Sequence, residues 1–572
     1  MKPIPLPPDA KLIHKQNGDT YAYFKYPYWD KEKKYSSSNK LYIGKLDDTG
    51  LLIPNLYYKN ILSKNEVIRP KEYQNLMQRT NSLYNQDPIQ SVDFISTNEW
   101  DQGAQAKYYG AIYLLEQIAK ITGVDEDLAI AFPESYKQLL SIAYYSIITE
   151  GRPLYRYESF FKNHELPFNK NLTSPALSLL FAHAITEERK AKFVQLQIIR
   201  RQDEEYLYYD TTTISSYSEC ILSAKWVRNK NEEHLPQINI AMLAGEKSFL
   251  PVYYRMLPGN TADVSTLEKL IKDVEFLKVN ITKFILDRGF FSAKNLYLLY
   301  EKNIDFIIAA KRNLKFLESY TKKAQQILLS NETNIDRFCD KLKVFYITEP
   351  IKWEYKFTQR TEKGITHERH HYDMYIHMYY NPIRRASEDL KFRTELNKTI
   401  EAVKNNYTLS KEQGIISKNY LYITNSVDGS PPDVKLNKDT IKQRSDDCGF
   451  FVLLSNNNES ATDTLKLYRH RDLIEKSFGN LKDRLAIRRT EVHSDDALES
   501  KLFISFLSLV FISYIDKQMK NNSLYDQMTL IELIDNLDII KICKYPGKKV
   551  HFTEVTEKQR ELYRKMSVEP IA

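Results

Sequence analysis

At 572 residues the chain is long enough for several domains and a sizeable core. Its 82 basic against 74 acidic residues leave a formal charge of +8, a mild excess, so any nucleic-acid surface has to arise from local clustering. Four widely spaced cysteines, Cys220, Cys339, Cys448 and Cys543, exclude CxxC-type zinc sites and a disulfide framework and fit a reducing cytosol.

In chain order, the opening MKPIPLPPDAKL lacks the apolar core of a signal peptide. Residues 1–60 read as short strands with Lys-rich turns. Residues 70–201 read as helices. Tyr108, Ile112, Leu115 and Ile118 give one amphipathic stripe, and Tyr136, Leu139, Leu140, Ala143 and Ile147 another. Ser174 and Pro175 supply an N-cap and first-turn pair for a third helix. Such a module suits a helix-turn-helix that binds DNA ends, and suits plain packing equally well.

From 202 to 310 the pattern changes. A strand ending in YLYYD at Asp210 precedes a hairpin of INIAMLA and FLPVYYRM around Gly245. A helix over Leu267–Leu277, a strand closing at Asp287, a helix from Ala293 and the strand FIIAA follow. That order predicts an α/β fold, an RNase H-like mixed sheet flanked by helices, completed by residues 450–525. Between them, 311–449 reads as a β-rich insertion domain, with KVFYIT, KWEYKF, YDMYIHMYY and NYLYIT as strands and one charged helical stretch from Ser387 to Asn405. The apolar run Leu502–Ile515 is shorter than the roughly 20 residues of a membrane span and reads as a buried helix. Residues 526–572 are left as a C-terminal tail.

The chemistry is concentrated in YRHRDLIEKSFGNLK, residues 468–482. On one continuous helix Tyr468, Arg471, Glu475 and Lys482 fall within about 60° of one face. Leu473, Leu481 and Leu485 lie on the opposite side. One acid among two bases and a phenol suits a metal ion beside phosphate. A lone Glu on a helix is most often a solvated side chain, but two acids upstream share a pattern: Asp210 and Asp287 each stand where a buried strand emerges. Singly, either Asp is as readily an N-cap or loop acid. Together the three make a cluster that hard divalent cations, bound through oxygen, would stabilise against mutual repulsion. Two such ions suit in-line displacement at a nucleic-acid phosphodiester. Arg471 and Lys482 would grip phosphate as fork and point charge, with the basic run KDRLAIRR directly after. His367, His370, His371 and His377 have no Cys or paired acid to complete a metal site and read as strand and loop histidines.

These residues resemble the DDE transposases of bacterial insertion sequences. In that superfamily the third acid lies in a signature of tyrosine, two residues, arginine, three residues, glutamate, six residues, lysine, matched at every position by Tyr468, Arg471, Glu475 and Lys482. Asp210 in YYDTTTISSYS and Asp287 in ILDRGFFS match the first and second acids, and LPGNTADVSTLEKLI matches the stretch between them. The likeness runs from Tyr206 to Ser500, with a weaker echo in YWDKEKKYSSSNKLYIGKLD.

The resemblance implies cleavage at element ends and strand transfer into target DNA. Asp210, Asp287 and Glu475 would hold two Mg²⁺ or Mn²⁺ ions, and Tyr468, Arg471 and Lys482 would position the DNA backbone. It implies double-stranded DNA as partner (terminal inverted repeats and target), a homodimer in the synaptic complex, no membrane, and a cytoplasmic location on the bacterial nucleoid. It also implies a β-rich insertion before the Glu, in which some relatives stack a flipped base on an aromatic ring; Trp353 is the candidate, although a tryptophan in a strand is more often core. Two other readings stand beside it: an RNase H-like nuclease that cuts without joining, and an idle copy that binds element ends and represses.

Overall fold

The structure, a computed structural model, describes residues 5–7, 10–14, 20–30, 35–47, 49–54 and 105–571, apart from 202–204, 217–220, 222, 227–234, 280, 312–313, 331–333, 362–363, 425–430, 488, 491–493 and 546. Two compact units divide the chain, 1–93 and 94–572. In the first, strands Lys11–His14, Thr20–Asp30, Tyr35–Leu46 and Leu52–Pro54 pair antiparallel in sequence order. Ala22, Ile43 and Leu52 form its small core. The helices expected between 70 and 104 fall outside the described residues.

The second unit is built on a ten-stranded mixed sheet. Its main elements, in chain order, are strands β1 (Leu207–Ser216), β2 (Gln237–Gly245) and β3 (Pro251–Pro258), helix α1 (Asp263–Phe276), strand β4 (Lys283–Leu286), helix α2 (Ala293–Glu301) and strand β5 (Asp305–Ala310). Strands β6 (Val344–Thr361), β7 (Gly364–Tyr380) and β8 (Phe450–Ser455) and helices α3 (Ala461–Arg469), α4 (Asp472–Gly479) and α5 (Asp495–Asn521) complete it. The strand order is β6-β7-β8-β5-β4-β1-β2-β3, with Phe338–Cys339 beside β6 and Arg489–Thr490 beside the end of β1. β1, β4 and β5 run parallel to one another, and β2 is antiparallel to both of its neighbours, β1 and β3.

Helices cover both faces, as expected when strands are apolar on both sides. Leu207, Tyr209, Phe284 and Leu286 point to the face covered by α1 and α2. Tyr208, Ile214, Ile240 and Ile285 point to the other, shared with α5 and the helices between 110 and 199. The period-two alternation of a strand makes that division, and each fully buried Leu, Ile or Phe contributes about 1.5–3 kcal/mol to it. Helix α5 is buried along Leu502–Ile515 and packs on helix Tyr136–Ile148. It is, among the described residues, the one helix long and apolar enough to cross a bilayer, and it is wrapped by protein.

Two expectations change. The segment 311–449 is not a uniformly β-rich domain: β6 and β7 form a long hairpin that joins the main sheet through β8. The helical stretch expected from Ser387 to Asn405 is present as Pro382–Lys404, and two unexpected helices, Lys411–Tyr420 and Lys438–Asp446, follow it around a ribbon of Leu421–Thr424 and Asp433–Leu436. NYLYIT alternates like a strand, but its Asn and first Tyr end the helix Lys411–Tyr420, whose Ser410–Gln413 capping box starts it firmly. Nor is 526–572 a tail. Strand Lys541–Lys544 pairs with Gln105–Tyr108, and the Tyr563 hydroxyl, in helix Glu557–Lys565, donates to the Gly110 carbonyl at 2.9 Å.

Candidate active site

The parallel pairing of β1 and β4 aligns Leu207 with Phe284, Tyr208 with Ile285 and Tyr209 with Leu286. One step further along both strands lie Asp210 and Asp287. Adjacent strands are about 4.8 Å apart, so the register alone makes these two acids neighbours. Alternation puts Asp210 on the same face as Tyr208, and Asp287 on the same face as Ile285. That is the face over which α3 and α4 are packed.

The signature segment is two helices with a tight joint. Three short-range bonds, Arg471 N–H to the Tyr468 carbonyl, Leu473 N–H to that of His470 and Ile474 N–H to that of Arg471, tighten the chain toward 3₁₀ geometry between α3 and α4. The carbonyl of Leu467, which this tightening strips of a helical donor, accepts instead from the hydroxyl of Tyr208 at 2.8 Å. Tyr208 stands two residues before Asp210 and is fully buried, so the strand bearing the first acid is tied directly to the joint that presents the third. His470 adds a second tie, its Nδ1 lying 3.3 Å from Glu246 Oε1.

Arg471 stands between the acids. Its Nη2 donates to Glu475 Oε1 at 2.6 Å. Its Nη1 lies 2.8 Å from Asp287 Oδ2, within ion-pair range but off the line of a hydrogen bond. Tyr468 donates its hydroxyl to the other Asp287 oxygen at 3.0 Å, and its ring lies under the Arg471 guanidinium, 5.6 Å away. Burial pushes the Asp287 carboxyl up, but Arg471, the Arg288 backbone N–H and Tyr468 outweigh it and hold the group below its usual range. Burial and then the Asp287 charge raise the Tyr468 phenol, which keeps it a donor.

Asp210 behaves differently. Its carboxyl is pushed up to about 6, chiefly by burial, with Asp287 and Glu475 adding to the rise and the Thr211 backbone N–H and Arg471 opposing it. Three carboxylates from two neighbouring strands and the facing helix therefore feel one another. Among the described residues no three metal-type ligands are gathered tightly enough to grip an ion as they stand. The guanidinium of Arg471 pairs with Asp287 and Glu475 instead. The donor set still fits a hard divalent cation: every ligand offered is a carboxylate oxygen, and at the most buried one the Arg471 charge does not offset the cost of burial.

Lys482 lies in the π-type turn Asn480–Arg484 that follows α4. The helix expected through 482 thus changes winding after Gly479, while Leu481 and Leu485 are buried as the stripe predicted. Trp353 lies in β6 with 7% of its surface exposed. Its ring sits 5.9 Å from Tyr300, 5.8 Å from Tyr355 and 6.2 Å from Tyr372, an aromatic stack that joins the long hairpin to α2. That is the surrounding of a core tryptophan. Of the histidines, His377 is fully buried between Thr348 and Ser455 hydroxyls, and burial lowers its pKa to about 4. Tyr208, Thr211 and Asp263 went unselected in the sequence. Tyr208 carried a readable signal, an aromatic two residues before Asp210 and so on the same strand face.

A family model described as the Transposase DDE domain matches residues 201–511, more than half of the chain. Among solved structures, a similar chain is that of the piggyBac transposase synaptic complex with hairpin DNA, determined by cryo-EM. The identity is 12%, the TM-score 0.32, and the match covers 75% of this chain and 70% of that one. No curated protein sequence matches.

Proposed function

Because this chain belongs to the transposase DDE-domain family, we propose that it cuts DNA at the ends of an insertion sequence and joins the freed 3′-hydroxyl to target DNA. Asp210, Asp287 and Glu475 would hold Mg²⁺ or Mn²⁺. A pair of such ions, when bound, supplies a nucleophilic oxygen at neutral pH and a counter-charge for the leaving oxygen. What supports the reading is the β1–β4 register, which makes Asp210 and Asp287 neighbours on the face that Arg471 and Glu475 overhang.

The chain's own residues then divide the work. Tyr468 orients Asp287 by donating to one of its oxygens. Arg471 neutralises Asp287 and Glu475, and its fork has the geometry to grip a DNA phosphate where those acids would instead hold cations. Lys482 follows on the same segment as a point charge for the backbone. The strand order β3-β2-β1-β4-β5, antiparallel on one side of β1 and parallel on the other, supports reading the sheet as an RNase H-like core, a scaffold suited to this geometry. The protein acts as a dimer that brings two element ends together.

The test uses linear DNA ending in the element's inverted repeat, a pre-cut copy of it, and a supercoiled target. Asp210→Asn and Asp287→Asn should each abolish Mg²⁺-dependent cleavage while leaving end binding intact. Retained cleavage in either variant rejects the assignment. Cleavage by the wild type without transfer of the pre-cut end would make it a nuclease, and end binding with neither activity would make it a repressor.

A further inference from the structure

A fourth carboxylate reaches both acid-bearing strands. Asp263, the first residue of α1, accepts a hydrogen bond at Oδ1 from the Thr211 hydroxyl at 2.6 Å. Thr211 in turn donates its backbone N–H to Asp210 Oδ1 at 2.8 Å. On its other side Asp263 lies against Gly289. A Cβ placed there would stand 3.1 Å from Asp263 Oδ2 and 3.6 Å from its Cβ. Gly289 belongs to the tight turn opened by Asp287, which closes with the Phe290 N–H on the Asp287 carbonyl at 3.1 Å.

The approach is built rather than incidental. Asn295, 3% exposed, donates through Nδ2 to the carbonyls of Val264 at 2.9 Å and Phe290 at 2.8 Å, clamping the start of α1 to the Asp287 turn. Asn239, on the strand beside Asp210, holds the Gly259 and Thr261 carbonyls at 3.3 and 2.9 Å. The loop delivering Asp263 is therefore pinned from both sides, and the residue bonds the side chain that follows Asp210 and fills the space beside Gly289, two positions after Asp287.

We propose that Asp263 is a positioning residue: through Thr211 and Gly289 it fixes the spacing and orientation of Asp210 and Asp287, and with them the fit of the site to a divalent cation. This rests on the metal-binding reading given above. Thr211 transmits the constraint by hydrogen bond, and the absence of a side chain at 289 lets the carboxylate approach. A carboxylate present only to satisfy the N-terminus of α1 would act on the helix and leave Thr211 without consequence.

The experiment measures Mn²⁺ binding to the full chain by the loss of the free-ion EPR signal, alongside end cleavage titrated with Mn²⁺. Asp263→Asn and Thr211→Val should each raise the Mn²⁺ concentration for half-occupancy by about 10-fold, the usual effect of losing a partner that orients a metal ligand. Element-end binding and metal-free melting should stay as in the wild type. Gly289→Ala should weaken Mn²⁺ binding in the wild-type background and have no effect added to Asp263→Ala. Unchanged half-occupancy in both Asp263→Asn and Thr211→Val overturns the role of Asp263, and so does a weakened Asp263→Asn beside a silent Thr211→Val. If the wild type binds Mn²⁺ no better than Asp210→Asn does, the metal-site reading itself falls and takes this inference with it.

Discussion

Asp210→Asn should make the metal-free protein more stable while destroying its activity. The wild-type carboxyl stands at about 6 against an ordinary 3.8, mainly because the folded chain buries it. Ionising it in place therefore costs about 3 kcal/mol at neutral pH, a penalty a neutral amide of the same shape does not carry. The sign follows from proton binding. The folded state holds this proton more tightly than the unfolded chain, so between pH 4 and 6 it binds more protons, and stability falls as pH rises through that window. In chelator, the asparagine variant should be more stable by the full amount above about pH 6, by roughly half of it near pH 5, and by nothing below about pH 4. Mg²⁺ should reverse the order at about a thousandfold excess over its Kd, where an ion bound only by the folded wild type adds about 4.1 kcal/mol. The assay is urea unfolding of both proteins across pH 4–8, with EDTA and with Mg²⁺. Coincident curves at pH 7.5 in EDTA would refute the claim that Asp210 is held at a cost for an ion to relieve.

Other residues give separate readouts. Arg471→Ala should lower single-turnover end cleavage by at least about 100-fold, with Arg471→Lys in between, because the fork both neutralises two acids and grips phosphate; an unchanged rate in the alanine variant would remove it from the site. Tyr208→Phe strips the Leu467 carbonyl of its donor and should cost about 1–3 kcal/mol in urea unfolding; full stability would mean that the joint between α3 and α4 is held by something else. Trp353→Ala should destabilise by about 3–5 kcal/mol as a core truncation, whereas Trp353→Phe should bind hairpin-ended and linear DNA as the wild type does; selective loss of hairpin binding in the phenylalanine variant would restore a stacking role. Lys482→Ala should weaken end binding across sequences and reduce the slope of log affinity against log salt by about 1.

The parts legible in the sequence were those written in local pattern. Alternation and β-branched composition locate β1 and β4, and an acid on each of these apolar runs is enough to pair Asp210 with Asp287, although β1 does not emerge at Asp210 as expected but runs on through its threonines to Ser216. The signature spacing brought in Glu475 although the segment is not one helix, because a single 3₁₀ joint turns the chain by about 20° more per residue than an α-helix and so shifts the face only slightly. What stayed hidden was set by contacts distant in sequence. Tyr208 looks like any strand aromatic until Leu467, 259 residues later, offers it a carbonyl. Asp263 looks like an acid suited to a helix start until the hydroxyl of Thr211, 52 residues before it, reaches its side chain. The insertion misled for a related reason. Its alternating segments are strands, but β6 and β7 find their partner in β8, beyond the helical stretch, so an apparent separate domain is an extension of the sheet that carries the acids. That continuity has a mechanical consequence. β8 pairs with β5, β5 with β4, and β4 ends one residue before Asp287, so the long hairpin is connected to the strand that leads into the second acid through three ladders of hydrogen bonds.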